Sequence, residues 1–179
     1  MKHIEYEERL IIKESDYQKI IEDINAQKLK GQHLHIENIY LDDNEYSLTD
    51  NHKMLRIRTT NNKDVELTFK SRHPSGGHNE INETLEHHPE INLNLDKEFK
   101  EYHEVARLIT DRIEIPIDDY LFVIDKNHYG NIIDYNIEIE AISQEKAHVL
   151  MVKYAEKYQI PYKKEVGGKS GRAIALMRK

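Results

Sequence analysis

The chain has 179 residues, of which 38% are hydrophobic and 33% charged, and its formal net charge is −7. This length fits one domain, spanning residues 1–179, with enough apolar side chains for a core. The acidic balance argues against a nucleic-acid binder with a broad basic surface, although basic residues gathered in one cleft could still attract a small anion. The absence of cysteine excludes disulfides and thiolate metal sites. Because no apolar run approaches about 18 residues and no signal-peptide h-region stands at the N-terminus, we expect a cytoplasmic protein that does not enter a membrane.

Hydrophobic periodicity and turn residues predict the secondary structure. A strand pattern over 4–11 ends where Ser15 and Gln18 have the form of a capping box, which predicts the start of a helix. In chain order the sequence then predicts strands at 32–41, 55–58, 65–70 and 78–83, a helix over about 96–108, strands at 112–115, 120–126 and 132–141, a helix that Ser143 caps and that runs to about 157, and a short helix over about 171–177. Asn61-Asn62 predicts a hairpin turn. This order indicates an α+β fold with a mainly antiparallel sheet and helices packed outside it.

Alternation along the strands sorts apolar side chains to one face and charged side chains to the other. The charged set consists of Glu5, Glu7, Arg9, Arg56, Arg58, Glu66, Lys70, His78, Glu80, Arg112, Asp125, Glu138 and Glu140. A half-exposed antiparallel sheet with a solvated face is the ordinary explanation of such a pattern. Two features favour a functional face instead: Arg and Glu prevail over the Thr and Lys typical of solvated strands, and the acids form spaced pairs. Two carboxylates about 4 Å apart repel by roughly 4 kcal/mol at an effective dielectric constant near 20.

Such repulsion requires a compensating charge, supplied by a bound cation or by interleaved Arg side chains. Acidic pairs without Cys offer oxygen ligands, which suit a hard ion such as Mg²⁺ or Mn²⁺. Arg and Lys on the same face suit phosphate, because Arg can make bidentate contacts. A metal-complexed polyphosphate satisfies both sets. If the glutamates converge, we expect mutual repulsion in the metal-free protein, so that Glu138→Gln leaves its fold equally or more stable.

The segment Glu5-x-Glu7-x-Arg9 opens an ordered series of charged motifs. The later members are Leu55-Arg56-Ile57-Arg58, Glu66-Leu67-Thr68-Phe69-Lys70, His78-x-Glu80, Arg112, Asp125, Glu138-x-Glu140 and Lys169-Ser170-x-Arg172. This series resembles the CYTH family, also called triphosphate tunnel metalloenzymes, whose ExExK signature is similar to the first segment. The resemblance extends from Ile4 to about Met177 and is strongest to a CYTH branch of Gram-positive bacteria. Three positions depart from the family pattern, since Arg9 replaces Lys, His78 replaces a permanent cation and Asn82 replaces an acid.

The resemblance implies a closed eight-stranded antiparallel β-barrel whose lumen is a tunnel, and an enzyme that hydrolyses triphosphates with Mg²⁺ or Mn²⁺. The implied metal ligands are Glu5, Glu7, Glu138, Glu140 and Asp125. The implied triphosphate contacts are Arg9, Arg56, Arg58, Lys70, Arg112, Lys169 and Arg172. The implied catalytic residues are Glu138, Glu140, Glu80 and Lys70.

The implied substrate is a small molecule, either inorganic tripolyphosphate or an organic triphosphate. The family also includes class IV adenylyl cyclases, so cyclisation of ATP is the alternative reaction. Cyclisation needs a pocket that orients ribose and adenine, and no sequence element clearly supplies one. A non-catalytic module that binds polyphosphate or a nucleotide is the alternative from a different class of protein. Release of phosphate over many turnovers would distinguish a hydrolase from such a module.

Overall fold

The computed structural model describes residues 2–74, 78–86, 102–163 and 168–178, and the side chains of residues 2–5 lie outside this description. Within these ranges the elements are β1 (Lys2–Ile12), α1 (Glu14–Ala26), β2 (Gln32–Asp42), α2 (Ser47–Asp50), β3 (Lys53–Thr60), β4 (Asp64–Arg72), β5 (His78–Leu85), β6 (His103–Ile117), β7 (Tyr120–Tyr129), β8 (Ile132–Ala141), α3 (Gln144–Tyr158) and α4 (Lys169–Met177). The strands pair in antiparallel fashion, which confirms the predicted α+β fold with an antiparallel sheet and flanking helices. No helix in the described ranges is long and apolar enough to cross a membrane. The single domain and the closure of the strands into one barrel stay predictions and form part of the functional proposal.

The chain divides into two compact units, of which the first comprises Met1–Ile4, His35–Ile109 and Gly167–Lys179. Its strands β2, β3, β4 and β5 form a meander in which each pairs with the next. The apolar face of this meander carries the buried residues Ile39, Leu41, Leu55 and Ile57, against which Leu48, Val65, Leu67 and Phe69 pack. Asn61 and Asn62, between β3 and β4, have φ angles of 53° and 56°. Positive φ at two successive residues is typical of the tight turns that suit hairpins, so the predicted turn is confirmed.

The second compact unit comprises Glu5–Leu34 and Thr110–Val166. Its strands run in the order β6, β7, β8 and β1, and α1 and α3 pack on β8. The core under these helices includes Leu10, Ile20, Ile24, Phe122, Ile124, Ile137, Ile139, Met151 and Ala155. Because Ile137 and Ile139 belong to this core, Glu138 faces the other side of the sheet. The predicted separation of apolar and charged faces is therefore confirmed for β8.

The two predicted helix caps have different outcomes. Ser143 precedes α3 and its hydroxyl oxygen accepts a hydrogen bond from the backbone N–H of Lys146 at 3.2 Å, which confirms the prediction. The capping box at Ser15 is wrong, because the N-cap is Lys13, two residues earlier, and α1 begins at Glu14. The carboxylate of Asp16 accepts a hydrogen bond from the backbone N–H of Lys13 at 3.3 Å, so the first turn is closed before the position that the sequence pattern favoured.

The helix predicted over about 96–108 is wrong in its described part. Residues from His103 onward belong to β6, and 96–101 lie outside the described residues. Val105 and Leu108 are both buried and three residues apart, a spacing that a helix face also produces. The β-branched residues Ile109 and Thr110 follow them, and such residues favour strands because their side chains pack well on a pleated surface.

Candidate metal and phosphate site

Three glutamates converge where β1 pairs with β8. The register places Glu7 opposite Glu140 and Arg9 opposite Glu138, and residues two apart on a strand share a face. One carboxylate oxygen each from Glu7, Glu138 and Glu140 therefore lies within 4.8 Å of the others. Three of the five predicted metal ligands are thus brought together. The side chain of a fourth, Glu5, lies outside the described residues.

Two arginines hold the carboxylate of Glu138, whose residue is only 1% exposed. Arg9 donates from Nε to Oε1 at 2.5 Å, and Arg112 donates from Nη2 to Oε2 at 2.9 Å. Arg9 also lies 3.3 Å from the carboxylate of Glu7. Burial opposes the charge of Arg9, but the carboxylates of Glu138 and Glu7 outweigh it and raise the pKa of the guanidinium. Both arginines were predicted to bind triphosphate; in the described residues they pair with acids, and their role in binding phosphate stays a prediction.

Asp125 on β7 belongs to the same face but not to the group of three glutamates. Its carboxylate accepts hydrogen bonds from Nε and Nη2 of Arg112 at 2.8 and 3.0 Å, a bidentate pair that is fully buried. Burial opposes the charge of Arg112, but Asp125 and Glu138 outweigh it, so the pKa of Arg112 is raised. Asp125, a predicted metal ligand, is therefore placed as the partner of Arg112. We refer to Glu7, Arg9, Arg112, Asp125, Glu138 and Glu140 as the acidic cluster.

The charges of the acidic cluster correct one expectation about stability. Its four carboxylates face two guanidiniums, so the repulsion among the acids is already partly offset within the protein. Each oxygen of Glu138 accepts from one of the two arginines, and Gln would present an NH₂ donor in place of one oxygen, so a buried charge-assisted hydrogen bond would be lost. Glu138→Gln should therefore weaken the metal-free fold, contrary to the expectation that it stays equally or more stable.

The residues of the acidic cluster fit a divalent cation. An ion bound at about 2.1 Å separates opposite oxygen ligands by about 4.2 Å, so carboxylates within 4.8 Å need only a small inward adjustment. With Glu114 also 3.4 Å from Arg112, the described side chains retain an excess of at least two negative charges. Oxygen ligands of this kind are those that Mg²⁺ and Mn²⁺ prefer.

The first compact unit carries a separate set of predicted residues, Arg56, Arg58 and Lys70, which we call the basic face. Arg56 and Arg58 are two apart on β3 and so share a face. Arg58 donates from Nε to the side-chain oxygen of Asn38 at 3.1 Å. Arg56 is only 9% exposed, and its Nε has no hydrogen-bond acceptor among the described residues. A buried donor without an acceptor is costly, and a phosphate oxygen is an acceptor that would satisfy it.

Lys70 and Glu80 lie opposite each other on β4 and β5, with their charged groups 3.5 Å apart. Glu80 is buried, and its carboxylate also accepts a hydrogen bond from the amide of Asn82 at 2.9 Å. These two predicted catalytic residues are therefore brought together. Asn82, which replaces the acid common in the family, acts here as a donor to Glu80.

The remaining predicted contacts, Lys169 and Arg172, stand in the first turn of α4 after the N-cap Gly168. They are three residues apart, which places them on neighbouring positions of the helix surface. Both are partly buried. Their role in binding phosphate stays a prediction.

The charge-based sorting of strand residues missed neutral polar residues on the same face. Asn136 is fully buried and donates to Asp125 and Glu138 at 3.1 and 3.3 Å. Its position two residues before Glu138 was the available signal, because residues at this spacing share a face. A search for any polar residue, rather than for charged residues, would have found it.

Residues 3–168 match the family model of the CYTH domain. The chain therefore belongs to the CYTH family, as the ordered series of charged motifs predicted. Among the curated proteins, none matches the chain.

Solved structures share the fold of the chain. A candidate adenylate cyclase from Bacillus halodurans is 24% identical with a TM-score of 0.78, over 96% of this chain and 97% of that one. A Hippeastrum protein, a candidate adenylyl cyclase with a dominant triphosphatase activity, is 19% identical with a TM-score of 0.71, over 98% and 95% of the two chains. A Pyrococcus horikoshii protein is 16% identical with a TM-score of 0.70, over 98% and 100%. At these identities the similarity shows the fold alone.

Proposed function

We propose that this chain is a divalent-metal-dependent triphosphatase that hydrolyses inorganic tripolyphosphate or an organic triphosphate. The proposal includes one domain over residues 1–179, closure of the eight strands into a tunnel, Mg²⁺ or Mn²⁺ as cofactor, and a cytoplasmic location. The observation that carries it is the convergence of Glu7, Glu138 and Glu140 within 4.8 Å in a member of the CYTH family. The triphosphatase activity of the Hippeastrum protein supports the same class of reaction.

In the acidic cluster, Glu7, Glu138 and Glu140 would hold the metal, together with Glu5 as the sequence predicts. When bound, such an ion neutralises negative charge that develops on phosphate oxygens during hydrolysis. Arg112 donates from Nε, Nη1 and Nη2 to carboxylates, so all three nitrogens are already hydrogen-bonded to acids. We therefore assign Arg112 to orienting the carboxylates rather than to binding phosphate.

The predicted phosphate contacts outside the acidic cluster are Arg56, Arg58, Lys70, Lys169 and Arg172. The phosphate role of Arg56 has the clearest support, because its buried Nε has no hydrogen-bond acceptor among the described residues. A guanidinium can donate to two phosphate oxygens at once. Lys70 adds a point charge, and its pairing with Glu80 fixes the position of its ammonium group.

Hydrolysis needs a carboxylate that orients the attacking water. Glu140, which is also one of the three proposed metal ligands, is suited to this task, because its side chain is 28% exposed, against 14% for Glu7 and 2% for Glu138. The water oxygen forms a bond to the terminal phosphorus while the bond from phosphorus to the bridging oxygen breaks. The water proton passes to the carboxylate, and diphosphate or its organic derivative leaves with the electron pair of the broken bond.

A panel of products tests the proposal and its alternatives. The parent chain is incubated with tripolyphosphate or ATP, with Mg²⁺, Mn²⁺ or EDTA, while phosphate, diphosphate and cyclic AMP are measured. We expect phosphate release over many turnovers that requires the metal. Glu140→Gln should abolish it, whereas Glu37→Gln, which alters a pair with the half-exposed Arg107, should not. Cyclic AMP with diphosphate as the main products would support a cyclase, and ligand-induced stabilisation without turnover would support a binding module.

A further inference from the structure

We infer that Asn136 is a positioning residue for the candidate metal site, at the end of a buried hydrogen-bond chain that begins at Thr110. The inference rests on the proposed function, because it concerns Glu138 as a metal ligand. Neither the charged motifs nor the CYTH resemblance assigned a role to either residue. Both lie on the strand face that carries the acidic cluster, and both are buried.

The hydrogen-bond chain joins five strand residues in the second compact unit, of which the last two are carboxylates. The hydroxyl of Thr110 donates to Oδ1 of Asn127 at 2.9 Å, and Nδ2 of Asn127 donates to Oδ1 of Asn136 at 2.7 Å. The amide of Asn136 then donates to Asp125 at 3.1 Å and to Glu138 at 3.3 Å. Asn127, Asn136 and Asp125 have no exposed surface. Burial at this level strengthens each bond, because the local dielectric constant is low.

The direction of every bond in this chain follows from the carboxylates at its end. An ionised carboxylate accepts hydrogen bonds and cannot donate, so Asn136 must present its NH₂ group to Asp125 and Glu138. Its oxygen is then left to accept from Asn127. The second N–H of Asn127 goes to Asp134 at 2.9 Å. Both amides are therefore fixed in one orientation, and one donor from each of Thr110, Asn127 and Asn136 continues the series toward the acidic cluster.

This arrangement gives Asn136 a task that the arginines cannot perform. Arg9 and Arg112 hold Glu138 with cationic groups, which also oppose a metal ion on the same carboxylate. Asn136 is neutral, so it can orient Glu138 without adding positive charge. A residue that holds a metal ligand in this way typically changes metal affinity by about 10- to 100-fold when it is removed.

Calorimetric titration of the full chain with Mn²⁺, at a temperature where each variant is folded, tests the inference. We expect Asn136→Ala to weaken Mn²⁺ binding by about tenfold or more. Thr110→Val removes only the first donor of the chain and keeps the shape of the side chain, so it should weaken binding by a smaller factor. If Asn136→Ala fails to fold, the Mn²⁺ affinity of Thr110→Val tests the inference. An affinity equal to that of the parent would then overturn the inference.

The matched control is Asp42→Asn in the first compact unit. Asp42 is also fully buried and accepts hydrogen bonds from the backbone N–H groups of Leu48 and Thr49 at 2.9 Å. This variant should lose thermal stability and keep the parental Mn²⁺ affinity, which separates positioning from a general loss of stability. Equal weakening in Asp42→Asn, or parental affinity in Asn136→Ala, overturns the inference and leaves the proposed function standing. A parent chain that binds no Mn²⁺ overturns both.

Discussion

The acidic cluster and the basic face differ in how their arginines are satisfied. In the acidic cluster, Arg9 and Arg112 donate to carboxylates of their own unit. On the basic face, Arg56 keeps a buried Nε that finds no acceptor among the described residues. Arginine side chains thus form ion pairs within the protein in the acidic cluster, whereas on the basic face one of them has a donor to which a ligand could supply the acceptor. Sequence motifs alone treat all these arginines as phosphate contacts, and hydrogen-bond geometry separates them.

This difference has a consequence for stability as well as for binding. Charges that are paired within the protein contribute to the metal-free fold, so their loss should be felt without any ligand. A buried donor without an acceptor among the described residues does not stabilise the fold, so its loss should affect substrate binding rather than stability. Variants in the two regions should therefore separate effects on stability from effects on the Michaelis constant.

The largest expected effect is that of Glu138→Gln in the acidic cluster. We expect hydrolysis to be lost and the metal-free fold to be weakened by about 3 kcal/mol, the lower end for breaking a buried pair, because Gln keeps one oxygen acceptor. Urea unfolding in EDTA measures the second effect. Glu37→Gln is the control, since its partner Arg107 is 45% exposed and such pairs contribute at most about 1 kcal/mol. Parental or greater stability of Glu138→Gln would show that the hydrogen bonds from Arg9 and Arg112 to Glu138 do not stabilise the metal-free fold.

Arg56→Ala should affect binding rather than the fold. A hydrogen bond to a charged group contributes about 1.5–3 kcal/mol, which corresponds to roughly a 10- to 100-fold rise in the Michaelis constant for tripolyphosphate. The free energy of unfolding should change by less than about 1 kcal/mol. Arg107→Ala removes an arginine whose N–H groups are already paired with Glu37 and Glu104. The Michaelis constant of this variant should therefore equal that of the parent. Equal Michaelis constants for Arg56→Ala and Arg107→Ala would show that Arg56 contributes no more to substrate binding than an ordinary surface arginine.

Arg9→Ala should strengthen Mn²⁺ binding while it weakens the metal-free fold. The guanidinium of Arg9 lies 2.5 Å from Glu138 and 3.3 Å from Glu7, so it competes with a metal for the same oxygens. Two unit charges whose centres lie about 4 Å apart interact by about 4 kcal/mol at an effective dielectric constant near 20, and we expect about tenfold tighter binding after solvent enters the site. Calorimetry of the parent, Arg9→Lys and Arg9→Ala gives the order of affinities. Weaker binding by Arg9→Ala would mean that Arg9 orients the carboxylates more than it competes.

The smallest expected effect lies outside both charged regions, at the contact between α1 and α3. Hydrogen bonds from Lys157 and Tyr158 lower the pKa of Asp23 to about 2. Because the folded-state pKa lies below the ordinary pKa of 3.8 for Asp, the contact stabilises the fold above that value, and the stabilisation is lost as the pH falls through about 2. At neutral pH Asp23→Asn should cost less than about 1 kcal/mol, since the pair is partly exposed. A difference in unfolding free energy that persists undiminished well below pH 2 would exclude this origin.

Local alternation was sufficient to predict which residues share the charged face of β8. Glu138 lies between the core residues Ile137 and Ile139, so its direction follows from a period of two. The pairing of Glu7 with Glu140 is set by the register of two strands far apart in sequence, which the alternation of either strand does not contain. The CYTH resemblance implied only that both residues hold the metal, and the register places them opposite each other.

The remaining errors and omissions have local physical causes. The helix predicted over about 96–108 followed an apolar spacing at Val105 and Leu108 that a buried strand also satisfies. Asn136 and Thr110 were overlooked because neutral residues leave the charge pattern unchanged, although their hydrogen bonds orient the acids. The roles of Arg9 and Arg112 depend on which acceptor lies nearest, and that is a property of packing rather than of sequence spacing.

The central claim is that Glu7, Glu138 and Glu140 together bind the divalent ion. Anomalous diffraction from crystals soaked in Mn²⁺, with data collected on both sides of the manganese absorption edge, tests it most directly. The account predicts one strong anomalous peak about 2.1–2.2 Å from an oxygen of each glutamate, with Asp125 still paired to Arg112. A manganese peak held by other residues, or no peak while Glu138 remains paired with Arg9, would contradict the account.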